Sequence, residues 1–176
     1  MKLPKVTAAA ALLCSLVASP VQAQAQQSCA AHYLIAVPGG GNTAEGIPDY
    51  VPHGGNVFMT GMLTRLGTGG EIQPLWVSYT STPFATSEYE KSKAGGLKRA
   101  RNTVSRLANV CPNAKFSFTG YSLGADIAAT ITSDIAAGRG PIEPERVSGV
   151  ALFANPHQGG NGAVLSAGTS PHSRGS

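Results

Sequence analysis

The chain has 176 residues, 12% of them charged and 42% hydrophobic, with a formal net charge of +4 at pH 7. This length suits one domain with its own core, and the 22 glycines and low charge are typical of a compact, tightly turned α/β protein, not of a coiled coil or a disordered chain. Basic and aromatic residues do not interleave as a nucleic-acid groove requires, so we expect no nucleic-acid partner.

Residues 1–23 are predicted to be a secretory signal peptide. Lys2 and Lys5 give a positive start, and the apolar run over 6–17 is shorter than the ~20 residues of a membrane span. Small residues around Ala23 suit cleavage, so we expect a mature, secreted domain over 24–176. An uncleaved N-terminal anchor is the alternative interpretation.

Cleavage of this leader would leave two cysteines, Cys29 and Cys111. An even pair in a secreted chain predicts a disulfide, which would close a loop of about 80 residues and contribute ~4 kcal/mol in the chain-entropy model. Two buried thiols are the alternative.

The first half of the domain is predicted to contain two strands and a helix. An apolar run over 33–37 that ends in proline and three glycines predicts a strand buried on both faces. The segment 39–55 reads as a loop and 57–66 as a helix ended by Gly67, while 73–79 is a second candidate strand.

The second half alternates helix and strand. A helix is predicted over 87–108, with one apolar face and an opposite basic side formed by Lys98, Arg99 and Arg106. The basic side indicates a solvated outer surface; binding to an anionic surface is the alternative. Gly95 and Gly96 weaken the predicted start of this helix. A strand over 115–119, a helix over 123–137 and a buried strand over 147–153 follow, whereas 154–176 shows no period. This alternation predicts a three-layer α/β/α sandwich around a parallel sheet.

The sequence FTGYSLGADI, residues 118–127, places Ser122 between Gly120 and Gly124 where a strand meets a helix. In a strand–GxSxG–helix turn the serine takes an unusual backbone conformation, and side chains at either glycine would collide with neighbouring elements. We therefore predict that Ser122 is a nucleophile, with the Leu123 N–H directed at a developing oxyanion. A chance GxSxG in a glycine-rich chain is the alternative.

A second oxyanion donor is predicted in the loop after the first strand, where residues 39–43 read GGGNT and the Gly40 N–H is well placed. The loop lacks both the Gly-Lys-Ser/Thr ending of a P-loop and the GxGxxG spacing of a dinucleotide site. A plain tight turn is the alternative.

A serine nucleophile needs a base and a group that orients it. The carboxylates after Ser122 lie on its own helix or before a strand at the opposite sheet edge, so none fits; they are Asp126, Asp134, Glu143 and Glu145. The histidines are His32, His53, His157 and His172. Of these, His157 fits the role of the base best because it follows the last predicted strand, and Asn155 is the candidate for the group that orients it. The alternative is that both are ordinary polar residues of one loop.

From Cys29 to about Gly160 the chain resembles the cutinase family, in Ala94-Gly95, Cys111-Pro112, the strand into Gly120-Tyr121-Ser122-Leu123-Gly124-Ala125, and Val150-Ala151-Leu152-Phe153 before a loop. The resemblance implies an α/β-hydrolase fold, a Cys29–Cys111 bond, and attack by Ser122 on ester carbonyls. It also implies a further strand ending in aspartate and a loop carrying histidine, both beyond Ser176.

Two positions depart from the family pattern. Leu123 stands where the family usually has a polar residue, and Pro38-Gly39-Gly40 stands where it usually has Arg-Gly-Ser or Arg-Gly-Thr. The second oxyanion donor therefore rests on the backbone, or on Asn42 and Thr43.

The resemblance implies that this chain is the front part of a secreted serine esterase. The complete enzyme would form an acyl-enzyme on esters of fatty acids or on lipid-like polyesters. The fragment would lack the acid and the base and would therefore be inactive. The resemblance implies neither a metal nor an organic cofactor. It also implies association with lipid surfaces and a monomer when the protein is complete. A non-catalytic secreted binding protein of the same fold and an acyltransferase acting on an envelope sugar are the alternatives.

Overall fold

The computed structural model describes residues 29–82 and 85–157. Within them, four strands form one parallel sheet in the order β2-β1-β3-β4. The elements in chain order are β1 (His32–Val37), α1 (Asn56–Gly67), β2 (Ile72–Trp76), α2 (Thr86–Val110), β3 (Lys115–Tyr121), α3 (Leu123–Ala136), a 3-10 turn (Pro144–Arg146) and β4 (Val147–Phe153).

Helices cover both faces of the sheet. Successive side chains of β1 point to opposite sides, so Ile35 packs in the large core with residues of α2 and α3, whereas Ala36 packs with Val57 of α1 and with Trp76. The predicted three-layer α/β/α architecture is therefore confirmed.

The carboxyl ends of the parallel strands share one edge of the sheet. β1 pairs with β3 up to Val37 opposite Gly120, and β3 pairs with β4 up to Tyr121 opposite Phe153. The segments that follow these three strands consequently meet, and this is the edge at which open α/β sheets bind their ligands.

Two elements differ from the prediction in ways that packing explains. β2 ends at Trp76, whose N–H donates to the Asp49 carbonyl at 2.7 Å, so a loop covers the outer edge of this strand. Gly95 and Gly96 lie inside α2 and do not weaken its start. At Gly96 an added Cβ would stand 2.6 Å from Ile127 Cδ1, so this glycine permits the close contact of α2 with α3.

The prediction that residues 147–153 form a strand is confirmed, but the prediction that this strand is buried is wrong. Val150 is 36% and Phe153 45% exposed. Among the described residues, β4 is the last strand of the sheet and has a neighbour on one side alone, which leaves its outer edge uncovered. An apolar run has the same sequence pattern in a strand covered on both sides and in a strand at the edge of a sheet, so the residues alone do not distinguish the two.

A disulfide joins Cys29 to Cys111, as predicted, with the two Cα atoms 5.6 Å apart. It connects the segment that enters β1 to the residue that follows α2. No helix in the two described ranges is long and apolar enough to cross a membrane. The predicted signal peptide lies outside the described residues.

Candidate active site

Ser122 occupies a sharp turn directly between β3 and α3. Its backbone has φ 52° and ψ −121°, a conformation that non-glycine residues rarely adopt and that persists only when the surroundings enforce it. The Ser122 N–H donates to the Phe153 carbonyl at 2.9 Å, and its own carbonyl accepts from the N–H groups of Ala125 and Asp126. The turn is thus fixed by β4 on one side and by the first turn of α3 on the other.

The two glycines that flank this turn are required by close backbone contacts. A Cβ at Gly120 would overlap the Gly124 carbonyl, and a Cβ at Gly124 would overlap the carbonyls of Val37 and Pro38. The steric reason expected for the GxSxG spacing therefore holds in the structure, with the end of β1 as the second barrier.

The loop after β1 lies against the serine turn. A Cβ at Gly39 would be 2.8 Å from the Tyr121 carbonyl and 3.5 Å from Ser122 Cβ. The Gly41 N–H donates to the Ser81 carbonyl at 2.6 Å, and Asn42 Nδ2 donates to the Gly40 carbonyl at 2.8 Å. Gly40 is consequently held beside the turn, between two anchored residues.

Leu123 is the first residue of α3, so its N–H is one of the helix N-terminal donors that have no partner inside the helix. The side chain of Leu123 is 1% exposed and packs in the large core. Its backbone N–H, and not its side chain, is therefore what this residue can offer to a ligand.

The side chains of Asn42 and Thr43, the other expected donors, are already engaged. Asn42 bonds the Gly40 carbonyl, and Thr43 Oγ1 lies 2.9 Å from His53 Nε2. The second ring nitrogen of His53 contacts the Val51 carbonyl at 2.8 Å, so this histidine braces the loop.

None of the three histidines that the structure describes lies within hydrogen-bond distance of the Ser122 hydroxyl. His32 Nε2 contacts Ser117 Oγ at 2.8 Å, near the amino end of β1, and burial lowers the pKa of this histidine. His157 Nε2 lies 3.3 Å from Asp126 Oδ2. His172 falls outside the described residues.

Asn155 contacts the backbone of His157 and not its ring. Its Oδ1 accepts from the His157 N–H at 3.1 Å, which closes a short turn after β4. The sequence suggested Asn155 as the residue that orients the His157 ring, but the structure places that ring against Asp126.

Asp126 is the centre of a polar cluster that sequence reasoning missed. It is 3% exposed, and its Oδ2 accepts a hydrogen bond from the Tyr89 hydroxyl at 2.9 Å. The same oxygen forms an ion pair with Lys93 Nζ at 2.9 Å, besides its contact with His157. Burial, followed by the hydrogen bond to Asp126, raises the pKa of Tyr89, so this hydroxyl remains a donor well into the alkaline range. Tyr89 and Lys93 are four residues apart and hence share a face of α2, which was the available signal.

The remaining carboxylates are far from the serine turn, as expected. Asp134 pairs with Arg101 and Arg139 near the end of α3, and these hydrogen bonds, that of Arg139 first, hold its pKa below the usual range. Glu143 precedes the 3-10 turn that leads into the amino end of β4, and Glu145 lies within that turn. The described residues contain no group of three or more His, Cys, Asp or Glu side chains arranged to hold a metal ion.

A serine in a strained strand-to-helix turn, at the carboxyl edge of a parallel sheet covered by helices, is the arrangement found in α/β hydrolases. The family model described as Cutinase matches residues 20–174. The chain therefore belongs to the cutinase family.

Two curated relatives match parts of the chain. Cutinase CUT1 of Coprinopsis cinerea is 36% identical over 64 residues, which cover 36% of this chain and 30% of that protein. Carboxylesterase Culp1 of Mycobacterium tuberculosis is 28% identical over 132 residues, which cover 75% of this chain and 55% of that protein. The matched region thus spans about half or less of the length of these relatives.

Solved structures share the fold at low sequence identity. The catalytic core domain of acetyl xylan esterase from Trichoderma reesei has a TM-score of 0.57 and 17% identity, covering 78% of this chain and 70% of that chain. A cutinase-like protein from Cryptococcus sp. has a TM-score of 0.52 and 20% identity, covering 76% and 58%.

Proposed function

We propose that this protein hydrolyses carboxylic esters, with Ser122 as the nucleophile and an acyl-enzyme as the intermediate. The observation that carries the proposal is the positive-φ turn of Ser122 between β3 and α3 in a chain of the cutinase family. Such a turn presents the serine hydroxyl above the sheet edge, where an ester can reach it.

The oxyanion formed by attack on the ester carbonyl would be stabilised by two backbone donors. One is the N–H of Leu123, at the positive end of the α3 dipole. The other is the N–H of Gly40, in the loop that contacts the serine turn through Gly39. The engagement of Asn42 and Thr43 with Gly40 and His53 supports a backbone donor over a side-chain donor.

The base and the acid of this mechanism are proposed to come from outside the described residues. His157 follows β4 at the edge of the sheet where Ser122 lies, but its ring contacts Asp126 and not Ser122. In the reaction, a histidine would take the Ser122 proton as the hydroxyl attacks and return it to the leaving alcohol, and would then activate the water that releases the acid.

The proposed substrates are esters of fatty acids or lipid-like polyesters, and the proposed location is outside the cell or in its envelope. The Cys29–Cys111 bond supports an oxidising compartment, since disulfides persist in secreted proteins and are rare in the cytosol.

The proposal is tested by replacing Ser122 in protein expressed from its full reading frame and measuring hydrolysis of nitrophenyl butyrate. Ser122→Ala should lower kcat by about 10⁴-fold or more, because the loss of a triad member has costs of that order. Ser117→Ala is the matched control: Ser117 lies on β3, the strand that leads into Ser122, but it contacts His32 of β1 at 2.8 Å, away from the carboxyl edge of the sheet. Equal loss in both variants, or full turnover in folded Ser122→Ala, would remove Ser122 from the mechanism.

A further inference from the structure

A cavity lies away from the serine turn. With a volume of about 820 Å³, it opens beside the first residues of β1 and β2, and its lining includes Tyr33, Leu75, Leu107, Asp49, Arg99 and Arg106. Ser122 follows the carboxyl end of β3, whereas Tyr33 and Gln73 near the amino ends of their strands line the cavity. The cavity is therefore separate from the candidate active site.

The inner wall of this cavity is apolar. Tyr33, Leu75 and Leu107 line it and belong to the large core, at 4%, 8% and 2% exposure. An alkyl chain placed against these side chains would exchange water for apolar contact, which contributes about 0.8 kcal/mol per buried methylene.

The charged groups of the cavity do not balance. Arg65, Arg99 and Arg106 line it together with a single carboxylate, that of Asp49, so two positive charges are in excess. Arg65 forms no ion pair with any residue in the described ranges, and Arg106 reaches Asp49 at 3.5 Å with its side chain 53% exposed.

Fixing the loop around Asp49 does not require all three arginines. The Asp49 carboxylate is buried and accepts from Arg99 at 2.7 Å and from Thr103 Oγ1 at 2.9 Å, and these two bonds already attach the loop to α2. Arg65 and Arg106 are thus available for another anion. Guanidinium groups suit a carboxylate because their planar fork can bind both oxygens.

We propose that this cavity binds an amphipathic monoanion, namely a carboxylate with an alkyl chain of medium length. Its carboxylate lies between Arg65 and Arg106, and its chain lies along Leu75 and Leu107. The cavity contains none of the residues assigned to ester hydrolysis, so this site stands independently of the proposed function.

The test measures binding of octanoate, below its micellar concentration, by calorimetry in low-salt buffer. Octanoate should bind, the neutral octan-1-ol should bind at least about tenfold more weakly, and added salt should weaken octanoate alone. Arg65→Gln and Arg106→Gln should each weaken octanoate binding by about two- to fivefold, the effect of one partly exposed charged contact. Arg139→Gln, an arginine paired with Asp134 outside the cavity, should leave binding unchanged.

Three outcomes would overturn the site: equal affinity for octan-1-ol, unchanged octanoate affinity in both cavity variants, or an equal loss in Arg139→Gln. Thermal unfolding of each variant shows whether it is folded, and Arg65→Gln, which breaks no ion pair with the described residues, keeps the test valid if Arg106→Gln does not fold. Reactivity of Ser122 is measured on the same samples. Loss of octanoate binding with intact serine reactivity separates this site from the proposed function.

Discussion

A methyl group at position 124 has no room in this fold, because it would meet the backbone carbonyls of Val37 and Pro38, which cannot rotate away as a side chain can. We expect Gly124→Ala to lower the free energy of unfolding by about 1–3 kcal/mol, the usual cost of overpacking. The displacement would also move the Leu123 N–H and so reduce the reactivity of Ser122. Thermal or urea unfolding measures the first effect.

Gly95→Ala is the matched control for this prediction. Gly95 is exposed inside α2, and an added Cβ there would meet nothing within 4 Å. Alanine should therefore stabilise the helix by about 0.5–1 kcal/mol through its higher helix propensity. Equal and small effects at positions 95 and 124 would contradict the close backbone contact at the serine turn.

At the scale of residues, the sequence predicted what depends on local backbone geometry. The turn of Ser122 and the need for Gly120 follow from strand, turn and helix within a few positions. The need for Gly124 was predicted from the motif, and the end of β1 enforces it. The contact of His157 with Asp126 did not follow, because it depends on how α2, α3 and the segment after β4 approach one another. Such an approach is set by packing between distant segments, which periodicity does not report.

At the scale of elements, the disulfide ties the entry of β1 to the end of α2 across a sequence separation of 82 residues. Replacing Cys29 and Cys111 together by serine should lower the free energy of unfolding by about 4 kcal/mol, because the unfolded chain regains the entropy of an open loop. Chemical denaturation with and without reductant measures this loss.

Intact mass after alkylation provides the control for the disulfide. Folded protein that has not been reduced should take up no alkyl group at Cys29 or Cys111, and reduced protein should take up two. Two alkylated thiols in folded, unreduced protein would contradict the bond, and the stability loss of the double variant would then need another cause.

The elements themselves were largely predictable because each carries its own period and boundary signal. Apolar residues recur every four positions along α3, at Leu123, Ile127, Ile131 and Ile135, and Gly138, with φ 70°, follows the end of the helix where this repeat stops. The exposure of β4 was not predictable, since VSGVALF reads the same whether a neighbouring strand covers it or not. The number of neighbours of a strand is a property of the sheet and not of its sequence.

At the scale of the whole molecule, the outer edge of β4, which no strand in the described part of the chain covers, should promote self-association of the protein. Unpaired backbone groups and exposed apolar side chains on an edge strand offer a template to a second chain. Val150→Lys should reduce concentration-dependent association in sedimentation velocity, because a charge on an edge strand opposes pairing.

Val110→Lys serves as the comparison, since Val110 is also exposed, at 60%, but lies at the end of α2 and not on the sheet. If both lysine variants reduced association equally, general charge repulsion would explain the result. A monomeric parent protein at all concentrations would show that the β4 edge is not available to a second chain.

Covalent labelling tests most directly whether Ser122 is the reactive serine of an esterase. Protein from the full reading frame is treated with a fluorophosphonate, digested with trypsin and sequenced by mass spectrometry through residues 116–139, which contain Ser117, Ser122 and Ser133. Stoichiometric label on Ser122, absent after heat denaturation and in Ser122→Ala, is the predicted result. Label on another serine, or ester hydrolysis without label on Ser122, would contradict the claim.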